Sequence, residues 1–223
     1  MDQIVYYFFN WTLISPHLPE IMQGFWVTLQ MAVMTVILGT VLGLGLAVLR
    51  CYGWRPVNIL MTLYVDVFRA IPQLVIIVLV FFALPSLGIV IEPVPATVLA
   101  LSLVLSAFAE EIFWSGIAAV PTGQWEAGRS TGMGFSQTLF AIILPQAVRL
   151  AIPPLTNRAI GITKGTTLGS VIAVPELLNV SSNIQSNIAN PTAFTAGAIL
   201  FCLIFFPFVH LTRVLERRYA IKS

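Results

Sequence analysis

The chain has 223 residues, 58% of them hydrophobic and 9% charged, with a net charge of +2 and two cysteines. A soluble domain carries about 25% charged residues, and a mean hydropathy of +0.93 places this chain in a membrane. A net charge this small excludes a nucleic-acid surface; Cys51 and Cys202 lie at or within apolar segments and His17 and His210 stand far apart, so neither a disulfide framework nor a metal site is indicated.

Residues 1–20 hold Trp11, Pro16, His17 and Pro19 among aromatics, too broken to span and suited to an interface on the outer face. They carry neither a basic stretch nor a small-residue cleavage site, so the first span is expected to insert by itself rather than follow a removable leader. From Ile21 to Leu49 there is no charge, and about 20 apolar residues cross the hydrocarbon. This first span (21–49) has Gly39 and Gly43 as a small packing face, and Arg50 and Arg55 close it on the cytoplasmic side.

The second span (58–84) contains Asp66 and Arg69, three residues apart on one helix face just before Pro72. They are read as a self-contained pair near the inner interface rather than as substrate ligands. An outer loop with Glu92 and three prolines, but no Lys or Arg, leads to the third span (96–120). This span carries Glu110 and Glu111 about 15 Å from its cytoplasmic end. Adjacent residues point about 100° apart on a helix, so one faces the bundle and the other a cavity or a neighbouring subunit. Such carboxylates either serve function or lock helices together, protonated or paired.

Residues 121–145 form the only long polar connection between apolar segments. Turn chemistry at Pro121-Thr122-Gly123 predicts a short helix with Glu126 in its first turn. Gly128, Gly132 and Ser136 recur every four residues, with Ala127 and Thr131 beside them, so one face has almost no bulk and another surface can lie close to it.

The apolar stretch Leu139–Val174 would be about 54 Å long as one straight helix, against about 30 Å of hydrocarbon. Pro153 and Pro154 are read as the break, giving a fourth span at 153–174. Arg149 then lies at the cytoplasmic interface and Arg158 is close enough to it to snorkel, whereas Lys164 sits near mid-depth. Around it Gly161, Gly165 and Gly169 alternate with Thr163, Thr166 and Thr167. Such a helix is weak, and its hydroxyls and loosened carbonyls can receive a solute. The Lys164 ammonium suits the carboxylate of an amphoteric solute and Glu111 its amine; alternatively, the two neutralise each other. An outer loop, Pro175–Pro191, holds Glu176 among Ser and Asn, and the fifth span (192–211) ends in Arg213, Arg217, Arg218 and Lys222. Five spans with an external N-terminus and a cytoplasmic C-terminus put these basic residues, and the loop around Glu126, inside.

The pattern Glu126-Ala127-Gly128, three residues, Gly132, nine residues, Ile142-x-Leu144-Pro145 resembles the EAA loop of ABC importer permeases, with Gly128 where the family usually has a second alanine. GFWVTLQ from Gly24, YVDVFRAIPQLV from Tyr64, AEEIFWSGIAAVPTGQWEAG from Ala109 and ILPQAVRLAIPPLTNRAI from Ile143 extend the resemblance over most of the chain. They narrow it to the polar amino-acid group, for histidine, glutamate, glutamine, arginine and opines. The resemblance implies an all-α polytopic membrane protein with the type I ABC importer permease fold, a single transmembrane domain of five transmembrane helices with a cytoplasmic coupling helix in the loop 121–145. It implies a bacterial inner (plasma) membrane and, as partners, an ATP-binding cassette subunit, a second permease subunit, identical or sister, a periplasmic or surface solute-binding protein, an amino-acid substrate and membrane lipid. ATP and magnesium belong to the ATPase partner, with no cofactor in this chain. Coupling falls to Glu126, Ala127, Gly128, Gly132, Ile142, Leu144 and Pro145, and the candidate pathway residues are Lys164, Glu111, Thr163, Thr166, Thr167, Asn157 and Gln73. The chain departs from the family at Trp114, where arginine is common, and at Gly165, where aspartate commonly follows the lysine; both changes are read as falling in the pathway.

Two other classes compete. Glu110-Glu111 is similar to the paired glutamates of membrane-embedded proteases, but no accompanying base or metal site is apparent. A passive channel, or a permease for another small solute, is the other alternative; a channel has no use for a coupling loop. The chain has no Walker motif and is not expected to hydrolyse ATP itself.

Overall fold

The computed structural model describes residues 2–219, and all their regular structure is helical. Helices α1 (Asp2–Phe8) and α2 (Trp11–Ile14) lead into the long α3 (Leu18–Arg50). Then come α4 (Arg55–Ala70), α5 (Gln73–Ala83), α6 (Pro93–Ala119), α7 (Thr122–Ser130) and α8 (Phe135–Thr138). A π turn at Leu139–Ile143 joins α9 (Leu144–Thr163), which tightens into a 3-10 stretch, Lys164–Ile172, before α10 (Leu177–Ile188) and α11 (Thr192–Tyr219). Four stretches are long and apolar enough to cross a membrane, Gln3–Arg50, Pro93–Ala119, Phe135–Ile172 and Thr192–Val214; α4 and α5 together supply a fifth if counted as one bent crossing.

The fold is built on the seam between α3 and α6. Gly24, Thr28, Ala32, Thr35, Gly39, Gly43 and Ala47 are buried at three- and four-residue spacing along α3, a stripe with little bulk that lets membrane helices approach closely. A Cβ on Gly39 would fall 2.7 Å from Leu105 Cβ, and one on Gly43 would fall 2.5 Å from Ala109 Cβ. The small face expected on the first span is therefore filled by α6. On the far side of α3, Ile37 and Val41 are exposed, as lipid-facing residues are. Along α6, Leu101, Leu105, Ala109 and Phe113 are buried, and Gly116 lets α9 approach so closely that a Cβ there would lie 2.7 Å from Ala147 O.

Two expected boundaries move. The second span is not straight: α4 and α5 meet at 109°, because Pro72 removes a helical N–H and holds Ile71 extended at φ −83°, ψ 133°. In the fourth, the helix runs through Pro153 and Pro154, and its change of type comes at Lys164. A proline's φ is already helical, and membrane helices tolerate the lost N–H when hydroxyls serve freed carbonyls; just beyond the pair, Thr156 Oγ1 donates to Ile152 O at 2.7 Å.

The ends of the bundle differ. Where α3 finishes, the Tyr52 hydroxyl meets Ser136 Oγ at 3.1 Å and its ring packs edge-on against Phe135, tying in α8 and, through Trp125 stacked on Phe135, α7. Where α3 begins, Leu177 N donates to Thr28 Oγ1 and fixes α10, while Asn190 Nδ2 and Thr192 Oγ1 donate to the Tyr6 and Tyr7 carbonyls and fix α1. That helix leaves Tyr6, Tyr7 and Phe8 about half exposed. Of the basic tail, the side chains of Arg217 and Arg218, and all of Lys222, lie outside the described residues.

Candidate functional site

The residues expected to couple lie in α7 and the turn beyond it. Thr122 opens α7, so Glu126 is its fifth residue and not in its first turn; Glu126 and Ala127 are exposed. Gly128 is buried against its own chain, where a Cβ would fall 2.7 Å from Thr138 Cγ2 and 2.9 Å from Ile142 Cδ1. Gly132 does not continue that face. It follows the end of α7 at φ +87° with open space around it. Its N–H donates to Arg129 O, and that of Met133 to Gly128 O, the paired bonds of a Schellman end, which needs a left-handed residue. The expected small stripe thus divides into Gly128, which packs inward, and Gly132, which turns the chain. Ile142, which reaches Gly128 of α7, and Leu144 are half-buried, and Pro145 is exposed. Beside them an open cleft of about 640 Å³ is lined by Thr131, Met133, Gln137 and Phe140. Phe140 is 52% exposed; sequence reading missed it because one aromatic within an apolar run gives no signal of which way it faces.

The second candidate region is one side of α9. Pro154, Asn157, Arg158, Gly161 and Lys164 are all exposed, and on a helix they share an arc of about 120°. No atom lies within 4 Å of a Cβ placed on Gly161. One edge of the arc meets α6, where the Arg158 guanidinium lies 3.9 Å from the Phe108 ring centroid. Arg69 reaches the same ring from α4 at 5.2 Å and forms an ion pair with Glu111. The other edge meets α11, where Lys164 Nζ sits 5.9 Å from the Phe205 centroid, in a cavity of about 400 Å³ that it shares with His210 and Arg213. The result is a groove floored by α9 and walled by α6 with α4 on one side and α11 on the other.

Several sequence expectations change here. Arg69 pairs with Glu111 rather than Asp66, which is exposed: residues three apart can meet, but α6 offers Arg69 both a carboxylate and a ring. Lys164 and Glu111 do not neutralise each other. Thr163 and Thr166 are buried, and their hydroxyls donate to the chain's own carbonyls at Ala159, Ile160 and Thr163, while Thr167 Oγ1 donates to Lys164 O. These bonds commit the hydroxyl protons to the helix itself. Gln73 directs its carboxamide oxygen against Gly165, occupying the space a side chain there would need. Glu110 and Glu111 separate as expected: Glu110, fully buried, accepts from Arg50 Nη1 at 2.9 Å. Trp114 lies under that same Arg50, 4.5 Å from its guanidinium, on the seam and away from the groove; Arg50, which the sequence marked only as a span end, reaches back beside α6.

The profile described as binding-protein-dependent transport system inner membrane component matches residues 39–221. Over 93% of its length the chain is 35% identical to the L-cystine transport system permease protein TcyB of Bacillus subtilis, covering 90% of that protein. It is 37% identical to the probable glutamine ABC transporter permease protein GlnP of the same organism, covering 93% of this chain and 95% of that one. Among solved structures, an amino acid ABC transporter crystallised with histidines superposes with a TM-score of 0.81 at 30% identity, covering 92% of this chain and 96% of that chain. The inward-facing MetNI methionine ABC transporter shares the fold at TM-score 0.67 and 22% identity.

Proposed function

The chain belongs to the family of binding-protein-dependent transport system inner membrane components, and from that premise we propose that it is the membrane-spanning subunit of an ATP-driven importer for a polar amino acid or opine. The observation that carries the reading is the arc Asn157–Arg158–Gly161–Lys164, polar and uncovered, on a helix within a stretch long enough to cross the membrane. Charged side chains in a bilayer face a water-filled path or another protein surface. A second permease copy or sister across the groove closes it on the lipid side and leaves a path between the two. Arg50 and Arg55 flank the turn from α3 to α4, Arg129 lies in α7 and Arg149 in the first turns of α9; the positive-inside rule assigns this end to the cytoplasm, and the N-terminus then lies outside. There α7 and the Phe140 cleft meet the ATP-binding cassette subunit, which holds ATP and magnesium, and the α10 end meets a solute-binding protein.

The experiment is ATPase activity of the permease reconstituted in nanodiscs with its ATPase and any sister subunit, with liganded binding protein added. Stimulation by one liganded binding protein is the expected result; failure of the permease to bind any ATPase subunit overturns the reading.

A further inference from the structure

We infer that the groove selects a solute with excess negative charge, an acidic amino acid such as L-glutamate in preference to its amide or to a basic amino acid. The inference rests on the groove being the translocation path. Its floor carries the cations Arg158 and Lys164 and one wall carries Arg69, whose ion-pair partner is Glu111. Asp66 stands on the same side of α4 as Arg69, about 60° from it, and forms no ion pair with it; counted with Glu111 it still leaves three cations against two carboxylates.

The cations are presented differently. Arg69 is committed to Glu111. Arg158 lies over Phe108, a stacking that leaves the edge of the guanidinium, with its donors, open to a carboxylate. Lys164 faces a cavity whose other basic side chains are His210 and Arg213, and no described carboxylate lies within salt-bridge distance of Lys164 or Arg158. Next to Lys164, residue 165 is a glycine, and the neutral carboxamide of Gln73 fills the adjacent space, so no counter-charge arises there. Six residues of helix separate Arg158 from Lys164, about 9 Å along the axis. Long flexible side chains at the two edges of the floor can close on the two carboxylates of one acidic amino acid, and Glu111 faces its ammonium. The isosteric amide leaves one cation without a partner where charges are poorly screened.

The test measures binding of L-glutamate, L-glutamine and L-arginine to the assembled importer in nanodiscs without binding protein, with binding-protein-stimulated ATPase recorded on the same preparation. Glutamate should bind about tenfold more tightly than glutamine, and arginine more weakly still. Lys164→Gln and Arg158→Gln should each reduce the glutamate to glutamine ratio about threefold or more. Equal or better binding of glutamine or arginine overturns the inference, as does a glutamate preference unchanged in both variants. If stimulated ATPase persists in either case, the importer reading stands and charge selection alone fails. Absence of stimulation by every liganded binding protein removes the importer reading and charge selection with it.

Discussion

Glu110 and Glu111 are neighbours in the chain, yet they belong to different halves of the molecule. Glu110 points into the α3–α6 seam, fully buried against Arg50; Glu111 points into the groove, where its side chain and that of its partner Arg69 are 45% and 36% exposed. The seam is closed by glycines whose added Cβ atoms would collide with α6, and the groove is open above Gly161. One residue type, one helix and two adjacent positions thus give a structural pair and an accessible one. What separates them is the 100° turn of the helix and what the neighbouring helix puts opposite.

The sharpest way to break the comparison is to remove each carboxylate in turn. Glu110→Ala leaves the Arg50 guanidinium beside a closed seam without its partner, and stranding one member of a buried pair costs about 3 kcal/mol or more. The unfolding midpoint in detergent should fall and the yield of assembled complex with it. Glu111→Ala should cost less than about 1 kcal/mol, since a half-exposed pair contributes little, and should change solute binding instead. Equal loss of stability in both variants would show that the groove is as closed as the seam.

A third glutamate tests burial without a cation. Glu176 is fully buried, and its two oxygens accept from the Leu178 and Asn179 N–H groups at 2.9 and 2.7 Å, capping α10 at the end remote from α7. Burial pushes its carboxyl up to about 7, against the pull of those two donors. Because this value lies above the unfolded one, the folded chain keeps a proton that the unfolded chain has released. The associated stability is fully present below about pH 4.5 and is lost as pH rises through 7, by about 2 kcal/mol between pH 5 and 8. Thermal unfolding across that range should show the loss in the parent and a flatter profile in Glu176→Gln; parallel profiles would mean that the carboxyl titrates normally.

The glycines repeat the contrast at smaller scale. Gly43→Leu forces bulk onto Ala109 and the Ser106 carbonyl and should cost about 2 kcal/mol, in the range of overpacked cores. A Cβ on Gly161 has no atom within 4 Å, so Gly161→Leu should fold normally and obstruct binding in the groove. A Gly161→Leu chain as unstable as Gly43→Leu would place another part of the protein against α9.

How much of this could be read from residues alone depends on whether the deciding contact is local. The glycine stripe of α3, the divergence of Glu110 and Glu111, and the helical character of the loop around Glu126 follow from spacing along one helix. The partners of Arg69 and Arg50 do not, because each is chosen by α6, some 40 and 60 residues away in the chain. Thr163, Thr166 and Thr167 looked available from their composition, yet a threonine hydroxyl in a helix has its own carbonyls within reach and nothing in the sequence says which acceptor prevails. Pro153 and Pro154 misled for the opposite reason: the rule that prolines end helices assumes water on the freed carbonyls, and a membrane helix packed against neighbours resists the break.

The smallest effect separates packing from turning within the coupling region. Gly128 is enclosed by Thr138 and Ile142, as Gly43 is by α6, whereas Gly132 has free space and a φ of +87°. Gly132→Ala therefore introduces no collision; it places a Cβ in the left-handed region at a cost of about 1 kcal/mol. The two Schellman bonds from Gly132 and Met133 should loosen, and faster amide exchange at those positions would report it. Gly132→Asn, which tolerates that backbone better, should recover most of the loss. Recovery by Asn but not by Ala identifies Gly132 as the hinge that sets the angle between α7 and α8; equal loss in both would return it to the role of a docking surface that admits no side chain.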